Sequence, residues 1–404
     1  MTYIPDLYKI DNAAENASHN GHEKCALSSI ELNIAQDCNM KCKYCIVNHG
    51  TFNEAAGYLN GKQSEQAIDL LLAASGSNNI CTVIFFGGEP LLNFDIIRHA
   101  VVYAENRSKS LNKKMRYWII TNGTLLDDSM LEFIKEYKIN MEISIDGEKA
   151  THDSMRPYAD GTGTYDDIVK SLPGLLAISD CKIRPRATIT GRNTDIKSII
   201  DHLHGLGFAG AALEMVGGEG GEYTIDAAAL EQLKKALYEL SELFLRDLPE
   251  GELKYGTLFL PFLHKLIKGK PTYNYCTAGS SKLSVSVHGE LYPCKYFVGL
   301  PEYKIGSLDT GIDEALMHSF CAKNSTDCKP GCMECRARLI CGGGCSAASA
   351  QINGSIAIPY ETRCNITKYI IELSIRILNE FKENYPLLYT DPFFMMYLMK
   401  ASNQ

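Results

Sequence analysis

Fifteen cysteines stand in this 404-residue chain. Three of them fall within eight residues, Cys38-Asn-Met-Lys-Cys42-Lys-Tyr-Cys45, a C-x3-C-x2-C spacing. Three thiolates in one short loop can hold three irons of a [4Fe–4S] cluster and leave the fourth iron open to a small chelating molecule. A zinc site would want a fourth ligand nearby and usually C-x2-C pairs, so half of a zinc site is the plainer alternative. Nine more cysteines lie between 276 and 364: Cys276, Cys294, Cys321, Cys328, Cys332, Cys335, Cys341, Cys345 and Cys364. In a large cytosolic chain the thiols stay reduced, and clustered cysteines point to metal rather than to disulfides. Cys25, Cys81 and Cys181 stand alone and read as small buried apolar residues.

The first group must be held by something rigid. Strand-like runs occur at 30–35, 81–86, 116–121, 140–145, 184–190 and 210–216. Helical patterns lie between them near 64–75, 94–110, 128–137, 165–178 and 195–206, with Ser64, Asp128 and Asp195 as expected N-caps. Six βα units predict a parallel sheet with helices outside, either open or curved into an incomplete barrel. Cys38 follows the first strand directly, at the edge where such sheets bind ligands. A helix over 226–247 carries the apolar stripe Leu230, Leu233, Leu237, Leu240, Leu243 and Phe244, which reads as packing. From 276 onward the chain is Cys- and Gly-rich with little apolar periodicity, the texture of a segment that folds around metal. An amphipathic helix is expected over 365–381. The divisions expected are an N-terminal extension 1–28, a barrel 29–220, a helical bridge 221–270, a Cys-rich domain 271–365 and a helical tail 366–404.

Bulk properties limit the partners. Apolar residues make up 45%, enough for a packed interior. The net charge is −8 and no basic run occurs, which argues against nucleic acid or an anionic membrane surface. No secretory signal opens the chain, and no apolar run reaches the roughly 18 residues of a membrane helix. A cytoplasmic protein is expected.

The C-x3-C-x2-C loop resembles that of the radical S-adenosylmethionine (SAM) superfamily. Further motifs carry the likeness: Gly87-Gly88-Glu89-Pro90 at the end of the second strand, Thr121-Asn122-Gly123 after the third, Ser144-Ile145-Asp146-Gly147 after the fourth, then Arg156. The resemblance implies a partial (β/α)6 TIM-like barrel whose Cys38, Cys42 and Cys45 hold a cluster that binds SAM. It implies cofactor contacts at Tyr44, Gly87, Gly88, Glu89, Asn122, Ser144, Asp146 and Arg156. Reductive cleavage of SAM to a 5′-deoxyadenosyl radical follows, the cofactor supplying the reactivity and the protein the orientation.

The later cysteines resemble the SPASM extension of radical enzymes that modify peptides. On that likeness Cys332, Cys335, Cys341 and Cys364 hold an outer auxiliary [4Fe–4S] cluster and Cys276, Cys294 and Cys345 an inner one, for three clusters in all. Two departures matter. Sulfatase-maturing relatives have a further cysteine just upstream of the first, where this chain has Lys270-Pro-Thr-Tyr-Asn-Tyr275. The inner cluster then has an open iron unless Cys321 or Cys328 fills it. Those relatives also carry an Asp after the second cysteine as a base, where this chain has Lys295. The segment Tyr292-Pro-Cys-Lys-Tyr-Phe-Val-Gly299 is more like maturases that install thioether cross-links in ribosomal peptides. The expected partners are therefore a Cys-containing peptide and a reductase or a flavodoxin or ferredoxin as electron donor. Only 37 residues precede Cys38, so a leader-binding domain is expected to be absent or a separate protein. The competing readings are a formylglycine-generating sulfatase maturase, a carbon–carbon cross-linking or epimerising enzyme, and a non-catalytic iron–sulfur carrier or zinc module. An iron–sulfur carrier or a zinc module needs no cofactor pocket, which the glycine and strand-end motifs imply.

Overall fold

The computed structural model describes residues 26–52, 54–217 and 221–401. Strands and helices alternate: β1 Ser29–Ala35, α1 Gly61–Ala74, β2 Ile80–Gly87, α2 Phe94–Lys109, β3 Lys114–Thr121, α3 Asp128–Glu136, β4 Asn140–Ser144, α4 Lys149–Met155, α5 Tyr165–Leu176, β5 Ile183–Ile189, α6 Ile196–Gly205 and β6 Ala212–Met215. The six strands pair in parallel, each with its successor. Period-two alternation then sorts their side chains. Ile30, Leu32, Ile34, Met141, Ile143, Ala187 and Ile189 enter the core under the helices. Their neighbours Glu31, Glu142, Ser144, Arg184, Arg186 and Thr188 line a cavity on the opposite face.

Two short strands extend the sheet beyond the expected six. β7 Lys282–Val285 runs parallel to β1, and β8 Leu291–Tyr292 runs antiparallel to β7, giving the order β6-β5-β4-β3-β2-β1-β7-β8. The sheet is thus open, and the start of the Cys-rich segment covers the free edge of β1. Glu31 ties the two parts: its carboxylate accepts the Lys295 amide at 2.7 Å and faces the Lys282 ammonium at 3.5 Å.

Two helix starts differ from expectation. Asn60, not Ser64, caps α1, in a capping box with Gln63 in which each side chain accepts the other's amide at 3.0 Å. Ser64 is buried one turn inside and donates to the Gly61 carbonyl. Asp127, not Asp128, caps α3 by accepting from the Met130 amide. Asp195 does cap α6. Helix α7 Ala227–Asp247 buries Leu233, Leu237, Leu240 and Phe244 and leaves Leu230 and Leu243 half-buried. It packs on a long helix, Glu361–Asn384, which runs across residue 365 and includes Cys364. Residues 1–25, with Cys25, lie outside the described residues; Leu27 is buried and donates to the Ala74 carbonyl. Cys81 is a buried core residue, whereas half-buried Cys181 reaches the cavity wall. Among the described residues no helix is long and apolar enough to cross a membrane.

Candidate active site

The loop after β1 is clamped at several points. The Lys41 and Lys43 amides donate to the Pro157 and Met155 carbonyls, and the Glu89 amide donates to the Asp37 carbonyl. Gly88 permits the last contact, because a Cβ there would overlap the Asp37 carbonyl and the Gly50 backbone. Cys38, Cys42 and Cys45 all face the cavity, whose volume is about 1060 Å³. Backbone amides already point at two of the sulfurs: Met40 N–H lies 3.4 Å from Cys38 Sγ and His49 N–H lies 3.1 Å from Cys45 Sγ. Burial, with Glu89 adding, pushes the Cys38 thiol up to about 12, and burial pushes Cys42 up to about 11. Metal binding there must displace protons.

Gly87, Gly88, Asn122, Ser144, Arg156 and Tyr44 line the same cavity. Glu89 and Asp146 do not; they stand behind its wall. Glu89 is fully buried and accepts from Thr121 Oγ1 at 2.6 Å, the Asn122 amide at 2.7 Å and the Leu91 amide at 3.0 Å. Its carboxylate fastens the ends of β2 and β3 together. Burial pushes its pKa up to about 7, against those three donors. Asp146 accepts the Tyr44 hydroxyl and the Thr188 amide, and Tyr44 in turn accepts from Arg156 Nη1 at 2.8 Å. Asp146 therefore aims Arg156 through Tyr44. Burial raises the pKa of both Tyr44 and Asp146, and Arg156 opposes it in each case.

The nine later cysteines separate into neighbourhoods. Burial first, then Cys341, Cys332 and Cys335, pushes the Cys364 thiol up to about 11, so these four share one field. Cys276 and Cys294 each feel Cys345. Cys276, Cys294, Cys345 and Lys295 line the large cavity, facing the space that Cys38, Cys42 and Cys45 also face. Cys321 donates to the Gly279 carbonyl at 3.0 Å, close to the Cys276 loop, and Cys328 is exposed. Among the described residues no three His, Cys, Asp or Glu side chains converge closely enough to hold a single ion. A four-iron cube requires its thiolates farther apart than one ion does.

The sequence profile of the Radical SAM superfamily matches residues 32–220. The cysteine-type anaerobic sulfatase-maturating enzyme of Clostridium novyi is 25% identical over 79% of this chain and 88% of its own length. Radical SAM cyclopropyl synthase TigE of Paramaledivibacter caminithermalis is 24% identical over 90% of this chain and 79% of its own. Residues 32–220 are a radical SAM domain, and the chain is a radical SAM enzyme. The fold agrees: the solved structure of native anSMEcpe with bound AdoMet and Kp18Cys peptide matches at a TM-score of 0.73 and 20% identity, over 88% of this chain and 99% of that one. A radical SAM domain implies SAM and one [4Fe–4S] cluster.

The residues of this radical SAM enzyme fit that cofactor. Arg156 lines the cavity, and its Nε is buried with no hydrogen-bond partner among the described residues. A buried guanidinium with an unused donor suits a carboxylate, such as that of the methionine moiety. Two positioning residues carried no readable signal. His152 is buried, and burial with Arg156 pushes its pKa down to about 2, so its ring is neutral. Its Nδ1 accepts the Asp146 amide at 3.2 Å, which leaves Nε2–H to donate to Thr164 Oγ1 at 3.0 Å. Thr164 then donates to the Arg156 carbonyl at 2.6 Å. Replacing Arg156 or Ser144 with Ala should weaken SAM binding by about 5–150-fold, corresponding to about 1–3 kcal/mol for one lost buried polar contact. Equilibrium dialysis on iron-loaded protein reads this directly, and full affinity in both variants would contradict the site map.

Proposed function

We propose that this enzyme modifies a ribosomally made peptide and closes a thioether bond between a Cys sulfur and a carbon of the same peptide. The observation that carries the reading is the shared cavity: Cys38, Cys42 and Cys45 face it from the loop after β1, and Cys276, Cys294 and Cys345 from the Cys-rich segment. Its volume of about 1060 Å³ is at the upper end for small-molecule sites, with space for SAM and a substrate segment. Relatives act on sulfatases or bind a peptide by their names, which supports a peptide substrate here.

Cys38, Cys42 and Cys45 would hold the SAM-binding cluster. Tyr44, Gly87, Gly88, Asn122, Ser144 and Arg156 would orient SAM, with Glu89 and Asp146 setting the wall behind them. Cys332, Cys335, Cys341 and Cys364 would hold an outer cluster, and Cys276, Cys294 and Cys345 an inner one with a position left for an outside ligand. When bound, these groups supply the electron that opens SAM and a sink for the electron the peptide gives up. The peptide loses two hydrogens: one as an atom to the 5′-deoxyadenosyl radical, the other as a thiol proton and an electron.

Lys295 replaces an acid with a cation at the cavity wall. It is buried, its Nζ lies 4.3 Å from the Phe86 ring centre, and it helps Arg186 and Arg184 hold the Glu142 carboxyl below its usual range despite burial. A cation there favours a substrate thiolate over a thiol. The partners this reading calls for are a Cys-containing peptide and a low-potential electron donor of the flavodoxin or ferredoxin kind.

The test is anaerobic incubation with SAM, reductant and a short Cys-containing peptide. A product lighter by two hydrogens that no longer reacts with a thiol alkylating reagent is expected. An aldehyde product would establish the sulfatase-maturase reading instead, and a lighter product with its thiol intact would establish carbon–carbon coupling.

A further inference from the structure

Lys329 is fully buried, three residues before Cys332. Its Nζ donates to Asn324 Oδ1 at 3.0 Å, the Gly343 carbonyl at 3.2 Å and Ser346 Oγ at 3.4 Å. An ammonium has three donors, and three acceptors surround it. All three are neutral oxygens, so the charge that balances this cation must come from farther out. The thiols around it supply the candidates. Burial lowers the Lys329 pKa, and Cys332 and Cys341 of the outer neighbourhood and Cys345 and Cys276 of the inner one oppose that and favour the ammonium.

The backbone is shaped to bring the lysine there. Gly342, Gly343 and Gly344 join Cys341 of the outer set to Cys345 of the inner set, with φ of +79°, +86° and +71°. Three successive left-handed residues are accessible only to glycine at low cost. A Cβ on Gly343 would stand 3.3 Å from Lys329 Cδ and 3.4 Å from its Nζ, so the glycine also makes room for the cation. The Gly343 and Gly344 amides point back at the Cys341 sulfur. The span between the two sets is therefore wrapped around one buried charge.

Two other lysines show what is particular about this one. Lys265 donates to the Ile340 carbonyl at 2.9 Å and acts on Cys341, in the outer set. Lys282 pairs with Glu31 and acts on Cys294 and Cys276, in the inner set. Lys329 alone of the three is acted on by cysteines of both sets.

We propose that Lys329 is a positioning residue whose ammonium, held by Asn324, Gly343 and Ser346, sets the reduction potentials of both auxiliary clusters together. The inference rests on the two-cluster reading given above. A fixed cation stabilises the more negative, reduced form of each cluster, and one group shared by both keeps their potentials in step.

EPR-monitored potentiometric titration of the iron-loaded full chain tests this. In Lys329→Met both auxiliary midpoints should fall, each by about 59 mV or more, which for a one-electron couple is a tenfold change in the reduced-to-oxidised ratio at fixed potential. The signal that SAM perturbs, from the Cys38–Cys45 loop, should not move. Lys265→Met should lower one auxiliary midpoint only, which assigns that signal to the outer set. Asn324→Asp keeps the lysine and the shape but neutralises its charge, and should lower both midpoints even if Lys329→Met loads iron poorly. Unmoved midpoints in a fully loaded Lys329→Met, or in Asn324→Asp, would overturn the proposal. The iron count separates the two levels: about twelve irons per wild-type chain supports the three-cluster reading, whereas about four would overturn that reading and the proposal with it.

Discussion

Changing Cys38, Cys42 and Cys45 together to Ala should reduce formation of 5′-deoxyadenosine to the level of an enzyme-free control. The three thiols sit on one loop, and that loop is fixed by its own backbone bonds to Pro157, Met155 and Glu89 rather than by the cysteines. The variant therefore has good reason to fold. The wall that would orient SAM is also untouched, since Arg156 is aimed by Tyr44 and Asp146 and supported by Thr164. What is lost is the ligand set for the iron that SAM must chelate. Anaerobic assay with dithionite and quantitation of the nucleoside reads the effect, and near-normal yield from a folded triple variant would remove the basis of the site assignment. On the three-cluster reading proposed above, about eight irons per chain should remain.

Cys276→Ala should separate the two halves of the chemistry. Cys276 is exposed on the loop leading to β7, outside the core clusters of the fold. SAM cleavage should persist within a few-fold, while cross-linked product disappears. The sulfur that needs an anchor then has none, and an ordered approach of sulfur to carbon radical is worth several kcal/mol in well-oriented systems, about 7–11 at the extreme. Chromatography of both 5′-deoxyadenosine and peptide from one reaction gives the ratio. Parallel loss of both products, with the SAM-binding cluster intact, would show that Cys276 serves cleavage itself and would undo the division of labour.

The six strands and the order of their polar ends were legible because period-two patterns and strand-end glycines are local features. The grouping of Cys38, Cys42 and Cys45 is likewise local, and the structure turns all three toward one cavity. β7 and β8 were not: each is four residues or fewer, and β7 is held by a partner, β1, some 250 residues earlier. Glu89 and Asp146 were readable as members of motifs but not as residues behind the cavity wall, since only the fold shows that Thr121, Asn122 and Leu91 donate to one carboxylate, and Tyr44 and Thr188 to the other. His152, Thr164 and Lys329 had no pattern at all. Each acts through contacts whose meaning depends on a neighbour brought in by tertiary packing. The caps at Asn60 and Asp127 fell a few residues from the expected ones because Ser64 and Asp128 are also good capping types, and side-chain chemistry alone does not rank adjacent choices.

The central claim is that one cavity moves a hydrogen atom from a peptide carbon to the 5′ carbon derived from SAM and then joins that same peptide carbon to the Cys sulfur. A fully deuterated Cys peptide tests it in a single reaction. Mass spectrometry should find deuterium in the methyl group of 5′-deoxyadenosine, at a yield matching the peptide that has lost its free thiol. Deuterium-free 5′-deoxyadenosine alongside modified peptide would contradict the account.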